Sequence, residues 1–290
     1  MRNLLGYILY GLAVTAFLLY YRFPSDMAAS YLEAAIAGID PGYAVEVEAI
    51  KPWPPATVRI GSIEFSRAGD AAIQLLRAER IRLTPDLMAL LRGKVAVDFS
   101  LALFDGSLTG SLQFDRENPG LLQAAVELRD IELGQGTLLR ELTGRAVQGR
   151  LSGTINYSGE PATLLTGSGA MDLHLSEGRL DLTQSLLGLE AVDLREVRVA
   201  AELNKGVLQL STFEHMGREA RSSATGTVRL QKNLLDSRLA LRGTLEPAPD
   251  FLAENPEFGQ ALNLFRQQMK QGRLAFDISG TVGVPRWKIL

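Results

Sequence analysis

Apolar and polar residues alternate along most of the chain after residue 42, and this two-residue period predicts β-strands. The clearest segment runs from residue 94 to 103, where Lys94, Asp98 and Ser100 occupy the polar face. Its opposite, apolar face contains Val95, Val97, Phe99, Leu101 and Leu103. A strand with this pattern packs its apolar face against other apolar groups and leaves its polar face in solvent, so the segment predicts a sheet with one apolar side.

Two short motifs recur within such alternating runs. A glycine-containing turn followed by apolar residues at alternate positions appears as EGRLDL at 177, KGVLQL at 205 and QGRLAF at 271. Gly-Thr followed by an aliphatic residue appears in the segments starting at 152, 225, 242 and 279. Near the C-terminus the apolar face of the last such run contains Leu274, Phe276 and Ile278. The repetition predicts a large, curved, antiparallel β-meander with short capping helices.

Three segments after residue 22 predict helices. Residues 25–37 have Ser25 as N-cap, and residues 84–92 have Thr84 as N-cap with Pro85 at the first helical position. The third segment lies between Pro256 and Gly272 and has an apolar stripe at helical spacing, which we expect to cover the apolar side of the sheet. The stripe contains Phe258, Ala261, Leu262, Phe265 and Met269.

The N-terminal segment predicts a membrane anchor. Residues 4–21 carry no charge, and as a helix they would extend about 27 Å, close to the thickness of a bilayer's hydrocarbon core. A cleaved signal peptide is the alternative, but no small-residue cleavage site follows the apolar run directly. The anchor residues are Leu4, Leu5, Ile8, Leu12, Val14, Phe17, Leu18, Leu19, Tyr20 and Tyr21.

The anchor divides the chain into residues 1–22, a short cytoplasmic stub with the transmembrane helix, and residues 23–290, one β-rich domain. Division of that domain into two lobes, 43–158 and 166–290, is an alternative. The domain has 33 acidic residues and, without Arg2 and Arg22, 28 basic ones. This acidic balance argues against nucleic acid as a partner.

No pattern in the sequence predicts catalysis, metal binding or cofactor binding. The chain has no cysteine, which excludes disulfides and thiolate chemistry. Its two histidines, His174 and His215, show no metal-ligand or catalytic spacing. His174 lies in the alternating run MDLHLS, with Met171, Leu173 and Leu175 on the other face, so we expect its imidazole to face solvent.

The order of these features resembles a known family. A short anchor precedes a helix, the run LLRGKVAVDF lies at 90–99, and the chain closes with SGTVGVPRW at 279–287. In this order the chain resembles the longer form of protein N (GspN) of bacterial type II secretion systems, and its strands are locally similar to those of AsmA-like envelope proteins. The resemblance implies a bacterial inner-membrane protein with a periplasmic domain and no enzymatic activity.

Two functions follow as hypotheses. The first is an accessory or assembly component of a type II secretion system, which would act through contacts with other subunits of that system. The second is an AsmA-like lipid-handling protein, in which the apolar side of the sheet stays open and shields the acyl chains of phospholipid. The alternation supports both, because it predicts an apolar face without predicting what covers it.

Overall fold

A computed structural model describes residues 20–21, 23–37, 42–54, 56–67, 70–114, 121–135, 137, 140, 146–186, 189–256, 259, 269 and 271–290. Within these residues the protein is mainly β, with a few short helices. The predicted anchor lies outside them, apart from Tyr20 and Tyr21, which are helical. In the described part of the chain, no helix is both long and apolar enough to cross a bilayer.

One curved antiparallel sheet of fourteen strands dominates the fold, and each strand pairs with the strands before and after it in the sequence. This order confirms the predicted meander. The strands are β1 (Tyr43–Trp53), β2 (Thr57–Arg67), β3 (Asp70–Pro85), β4 (Val95–Leu103), β5 (Gly106–Phe114), β6 (Leu122–Glu132), β7 (Val147–Gly159), β8 (Ser168–Leu186), β9 (Leu189–Asn204), β10 (Val207–Met216), β11 (Ala220–Arg229), β12 (Arg238–Pro247), β13 (Leu274–Thr281) and β14 (Pro285–Ile289).

Two of the three predicted glycine-containing turns are present. Lys205–Gly206 joins β9 to β10 and has positive φ at both residues, as a two-residue hairpin turn of type I′ requires. Gln271–Gly272, just before β13, also has positive φ at both residues. The motif at 177 is not a turn, because Glu177 lies inside β8, where the register with β9 continues on both sides. Glu177 has φ 52°, the left-handed conformation found in some β-bulges.

Similar irregularities occur in other strands on the same side of the sheet. Ala49, Arg80 and Asp130 also have positive φ in the interior of β1, β3 and β6. The register of β6 with β7 shifts between Leu128 and Ile131. Each extra residue restores the apolar face where strict alternation in the sequence breaks, and bulges of this kind bend and twist the strands that contain them.

Among the described residues, three α-helices accompany the sheet: α1 (Ser25–Ala37), α2 (Leu87–Leu91) and α3 (Pro249–Glu254). Helix α1 spans the predicted residues. Helix α2 starts later than predicted, since Thr84 and Pro85 belong to β3 and pair with β4. Its N-cap is Asp86, whose Oδ1 accepts hydrogen bonds from the backbone N–H groups of Met88 (2.9 Å) and Ala89 (3.1 Å).

The remaining helical prediction, between Pro256 and Gly272, lies largely outside the described residues. Of its stripe, only Met269 is described, and it packs near Phe251 of α3. Helix α3 itself was not predicted. Its Pro249 occupies the first turn, where a missing N–H costs no hydrogen bond.

Fully buried apolar clusters are found at the two ends of the sheet. At the first end, α1 packs on β1–β3, where the buried residues are Val47, Ile50, Ile60, Ala78 and Ile81. At the other end, Phe251 of α3 packs on Leu274 of β13. The middle strands belong to neither of these helix-on-sheet clusters, although single apolar residues on them, such as Ile131, Val197 and Ala201, are also buried.

We expect Gly226→Ala to destabilise the protein by on the order of 2–4 kcal/mol. Gly226 has φ +142°, and a Cβ there would lie 2.3 Å from the carbonyl oxygen of Ala240 on β12, so two backbones would have to separate. Gly272→Ala is the matched control. Gly272 also has positive φ but open space around it, so its cost should be about 1 kcal/mol. Urea unfolding measures both, and equal costs would contradict the close strand approach.

Candidate functional site

A single row of apolar residues crosses the whole sheet. Residues that pair directly across neighbouring strands lie on the same face of the sheet, so the strand pairing defines which residues belong to the row. Not one member is polar or charged. From β1 to β14 the row is Pro52, Val58, Leu83, Phe99, Gly110, Val126, Ile155, Met171, Ala201, Leu210, Gly226, Leu241, Ile278 and Trp287.

Two more rows lie beside it on the same face. One runs from β4 to β14 through Leu101, Leu108, Leu128, Gly153, Leu173, Val199, Phe213, Ala224, Gly243, Phe276 and Ile289. The other runs from β3 to β14 through Pro85, Val97, Leu112, Ala124, Tyr157, Gly169, Leu203, Leu208, Val228, Leu239, Gly280 and Pro285. We call the three rows together the apolar strip.

Glycines in the strip receive aromatic rings from neighbouring strands. A Cβ at Gly110 would lie 2.7 Å from Cζ of Phe99, and a Cβ at Gly243 would lie 2.6 Å from Cζ of Phe276. Each ring therefore covers the glycine backbone beside it. Phe276 also contacts Trp287, with ring centroids 5.2 Å apart. Because flat rings lie over these glycines, where other residues would have protruding side chains, the surface of the strip is smoother there.

The strip is open in the middle of the sheet. Val126, Ile155 and Met171 are only half-buried, whereas the inner face of a covered sheet buries such residues fully. Ala201 and Leu210 are buried, at 2% and 8% exposure, between their neighbours on the same face. Among the described residues, no helix or loop forms an apolar cluster over strands β5 to β11. Within the part of the chain that the structure describes, the middle of the strip is therefore a surface of the sheet that no apolar cluster covers.

The residues that the sequence predicted for the apolar face all lie on the strip side of β4 and β13. Phe99, Val97 and Leu101 are members of the three rows, and Val95 lies at the edge with 42% exposure. The other members of the predicted set are Leu103, Leu274, Phe276 and Ile278. Leu274, which packs against α3, is 5% exposed, and Phe276, which contacts Trp287, is 7% exposed.

Of the predicted anchor residues, only Tyr20 and Tyr21 are described, and both are exposed, at 43% and 78%. The others lie outside the described residues: Leu4, Leu5, Ile8, Leu12, Val14, Phe17, Leu18 and Leu19.

The sequence predicted the apolar faces of β4 and β13, and that of the run containing Met171, but not that such faces join across the middle of the sheet. Ile155, Met171 and Leu241 are central members of the strip on β7, β8 and β12. Each lies in an alternating run that is visible in the sequence. The missing information was the register between strands, which aligns these runs into one continuous surface.

The opposite face of the sheet is polar and carries ion pairs between neighbouring positions. Arg242 on β12 contacts Asp277 on β13 through two hydrogen bonds, Nε to Oδ1 (2.8 Å) and Nη2 to Oδ2 (3.2 Å). Arg129 pairs with Glu127 at 2.9 Å and Arg198 with Glu196 at 2.7 Å. The Arg242 hydrogen bonds lower the pKa of Asp277 below its usual value, against a partial opposing effect of desolvation.

The histidines lie apart and do not form a site. His174 is on the polar face of β8, as predicted, and its Nε2 is 3.4 Å from Oε1 of Glu196. His215 bonds through Nε2 to the carbonyl oxygen of Asp193 (2.8 Å) and through Nδ1 to the Ser222 hydroxyl (3.2 Å). Within the described residues, no three histidine, aspartate or glutamate side chains are grouped as a metal site would need.

The concavities of the described surface are shallow. One of about 290 Å³ contains His215 and the ion-pairing residues Glu196 and Arg198. Another, of about 510 Å³, lies over polar residues of β5 to β8 such as Gln113 and Asn156. Neither encloses a small molecule as a typical ligand pocket does. The feature that distinguishes this molecule is therefore an extended surface.

Fold and surface together define a class: a single-sheet β-meander with one polar face and one continuous, largely open apolar face. Comparison with known proteins yields no match to a family model, a curated protein or a solved structure.

We expect Asp277→Asn to reduce stability slightly at neutral pH and to have no effect in strong acid. Because the folded-state pKa of Asp277 is lowered, the Arg242 pair stabilises the fold above the usual carboxyl pKa of about 3.9, and this contribution is lost as pH falls through the lower folded value. Both side chains are solvated, so the effect should be small. Thermal unfolding across pH measures it. A difference that grows in acid would contradict the assignment.

Proposed function

We propose that this protein is a non-catalytic, membrane-anchored, lipid-binding protein whose apolar strip shields phospholipid acyl chains. The observation that carries the proposal is the uninterrupted apolar row across fourteen strands, together with the half-burial of its central members. Monomeric proteins rarely keep contiguous apolar patches above a few hundred Å² unless the patch has a binding role.

The dimensions of the strip suit acyl chains. The central row crosses all fourteen strands, and the three rows run together from β4 to β14, over ten intervals between strands. At about 4.8 Å each these intervals extend roughly 48 Å, and the outer rows are about 13 Å apart, so the outline is on the order of 600 Å². One acyl chain covers half of a hydrocarbon core of about 30 Å, so this part of the strip is roughly three chains long. A small ligand needs no surface of this length.

Energetics favour a continuous strip over separate patches. Each CH₂ group that passes from hydrocarbon into water costs about 0.8 kcal/mol, so a chain of about fifteen such groups would cost on the order of 12 kcal/mol. Because the central row contains no charged or polar residue, an acyl chain that lies along it would keep its CH₂ groups out of water at every strand. A single charge in the row would restore part of it.

Membrane attachment is part of the proposal. The uncharged segment 4–21 would anchor the chain in the bacterial inner membrane, with the sheet in the periplasm. Tyr20 and Tyr21 would then lie at the membrane interface, which suits their exposure. Lipid would reach the open strands from that membrane.

Replacement of Ile155 by aspartate tests the strip directly. Ile155 is a half-buried member of the central row on β7, so we expect Ile155→Asp to fold but to lose most co-purifying phospholipid, on the order of fivefold or more. Asn156→Asp is the matched control, because Asn156 is the next residue and lies exposed on the opposite face. Native mass spectrometry of the full chain in mild detergent measures bound lipid, and circular dichroism verifies folding.

Two results would overturn the lipid-binding proposal. One is wild-type protein that carries no phospholipid after extraction from membranes. The other is lipid content that is equal in Ile155→Asp and Asn156→Asp, since both variants introduce the same charge on opposite faces. Unfolding of Ile155→Asp alone would indicate that the strip is covered, and that also contradicts the proposal.

A second candidate function is an accessory role in a type II secretion system, and the free edge of the sheet supports it. Strand β14 pairs only with β13 within the described residues, so its outer backbone groups are available to a partner's strand. Trp287 on this strand is 64% exposed, and Val284 beside it is 69% exposed. An exposed aromatic residue at a free edge is a typical anchor for strand addition.

Site-specific crosslinking in cells tests the second candidate. A photoreactive residue at Arg286, which is exposed on β14, should give a discrete crosslinked product with another secretion-system subunit. The same residue at Glu202, exposed in the interior strand β9, should give none. Failure to form a product at Arg286, or equal products at both positions, would exclude strand addition at this edge.

A further inference from the structure

Helix α2 consists of apolar residues, and most of their side chains are exposed to solvent. Its large side chains Leu87, Met88, Leu90 and Leu91 are 50%, 62%, 52% and 83% exposed, and none is buried. Val95, the first residue of β4, continues the surface with 42% exposure. This short helix therefore stabilises no core, and its composition needs a different explanation.

Trp53 lies on the same edge of the sheet. It pairs with Thr57, whose hydroxyl is 3.1 Å from that of Thr84 on β3, just before the N-cap of α2. Trp53 is 49% exposed, and the guanidinium of Arg59 lies over its ring at 3.7 Å from the centroid. An aromatic residue that is partly packed and partly exposed to solvent is typical of positions at a membrane–water interface.

Cations surround this apolar group. Lys51, Arg59 and Arg82 are direct partners across β1, β2 and β3, so three positive charges are adjacent. Arg92 and Lys94 follow α2 and are exposed. Within the part of the chain that the structure describes, none of these five side chains forms an ion pair.

Elsewhere on the polar face, arginines at comparable positions are neutralised. Arg77 contacts Glu64 at 2.6 Å, and Arg273 contacts Glu246 at 3.1 Å. Like charges on neighbouring strands repel when no carboxylate separates them. The row Lys51–Arg59–Arg82 therefore lowers stability in isolation, which is the pattern of a surface that binds an anion.

The start of α1 points to the same edge. Oε1 of Glu33 accepts a hydrogen bond from the backbone N–H of Val47 (2.9 Å), near the middle of β1. Five residues separate the end of α1 from β1, so the helix runs antiparallel to the strand. The N-terminal end of α1, which follows the predicted anchor, is thus directed toward the β1–β2 turn and Trp53.

We propose that α2 and Trp53, with these five cations, form a docking surface for an anionic phospholipid bilayer. Leucine, methionine and tryptophan side chains would enter the interface, and the cations would contact lipid phosphates. An anionic leaflet attracts such cations without any matched partner residues, whereas a protein partner would need a matched acidic surface. This inference does not depend on lipid binding by the strip, because it concerns other residues, which lie at the edge of the sheet beside α2.

Bromolipid quenching of Trp53 tests the docking surface on the full chain. The protein has two tryptophans, so Trp287→Phe leaves Trp53 as the single emitter. In nanodiscs that contain brominated phosphatidylcholine with phosphatidylglycerol, we expect strong quenching, which weakens without phosphatidylglycerol or in high salt.

Charge-reversal variants then distinguish binding through this surface from a general electrostatic attraction between the protein and the anionic bilayer. Arg92→Glu with Lys94→Glu should reduce quenching about twofold or more. Lys205→Glu with Lys232→Glu changes the net charge equally at exposed positions in the loops that follow β9 and β11, and should leave quenching unchanged. Thermal unfolding of both double variants verifies the fold. Absent quenching, quenching independent of phosphatidylglycerol, or equal effects of the two double variants would each overturn the proposal.

Discussion

The register between strands is the constraint on which the rest of this structure depends. Side chains alternate along a strand with period two, so a slip of one residue would move every apolar side chain of that strand to the polar face. The central row keeps its parity across fourteen strands. On β10 a bulge between Leu210 and Phe213 keeps two rows of the strip on the same face. The bulges at Asp130 and Glu177 do the same for apolar residues that follow the strip on β6 and β8, and bulges also supply curvature.

A sheet with one apolar side is normally covered by a second layer, and here the cover is partial. Helix α1 covers the first strands and α3 packs on β13, while between them Val126 and Met171 remain half-buried. Stability in the middle must then come mainly from backbone pairing and from same-face neighbours, of the kind that the Phe99–Gly110 and Phe276–Gly243 contacts show on either side of it. This arrangement explains how a sheet can remain ordered with an apolar face that is free to bind.

Much of the fold could be predicted from local sequence, because strand alternation and turn residues are local signals. The meander, α1 and the Lys205–Gly206 turn follow from such signals. The errors arose where one local signal has two structural outcomes. Glu177–Gly178 resembles a turn but is a bulge, since β8 and β9 both continue past it. Pro85 suits a helix start, yet it ends β3, because pairing with Val97 extends the strand. The continuous strip was not predictable, as register is a property of strand pairs.

The covered and open parts of the strip meet near α2. Helix α1 packs as far as Leu101 on β4, and α2 connects β3 to β4, so the first open strands begin beside the exposed leucines of that helix. If α2 lies in the lipid interface, the boundary places the open strip next to the bilayer, and an acyl chain could pass from hydrocarbon to strip without crossing water. Were α2 only a connector between strands, exposed leucine and methionine would weaken its solubility without any gain. The joint position of the basic edge, the apolar helix and the start of the open strip therefore supports the proposed binding of lipid at the membrane.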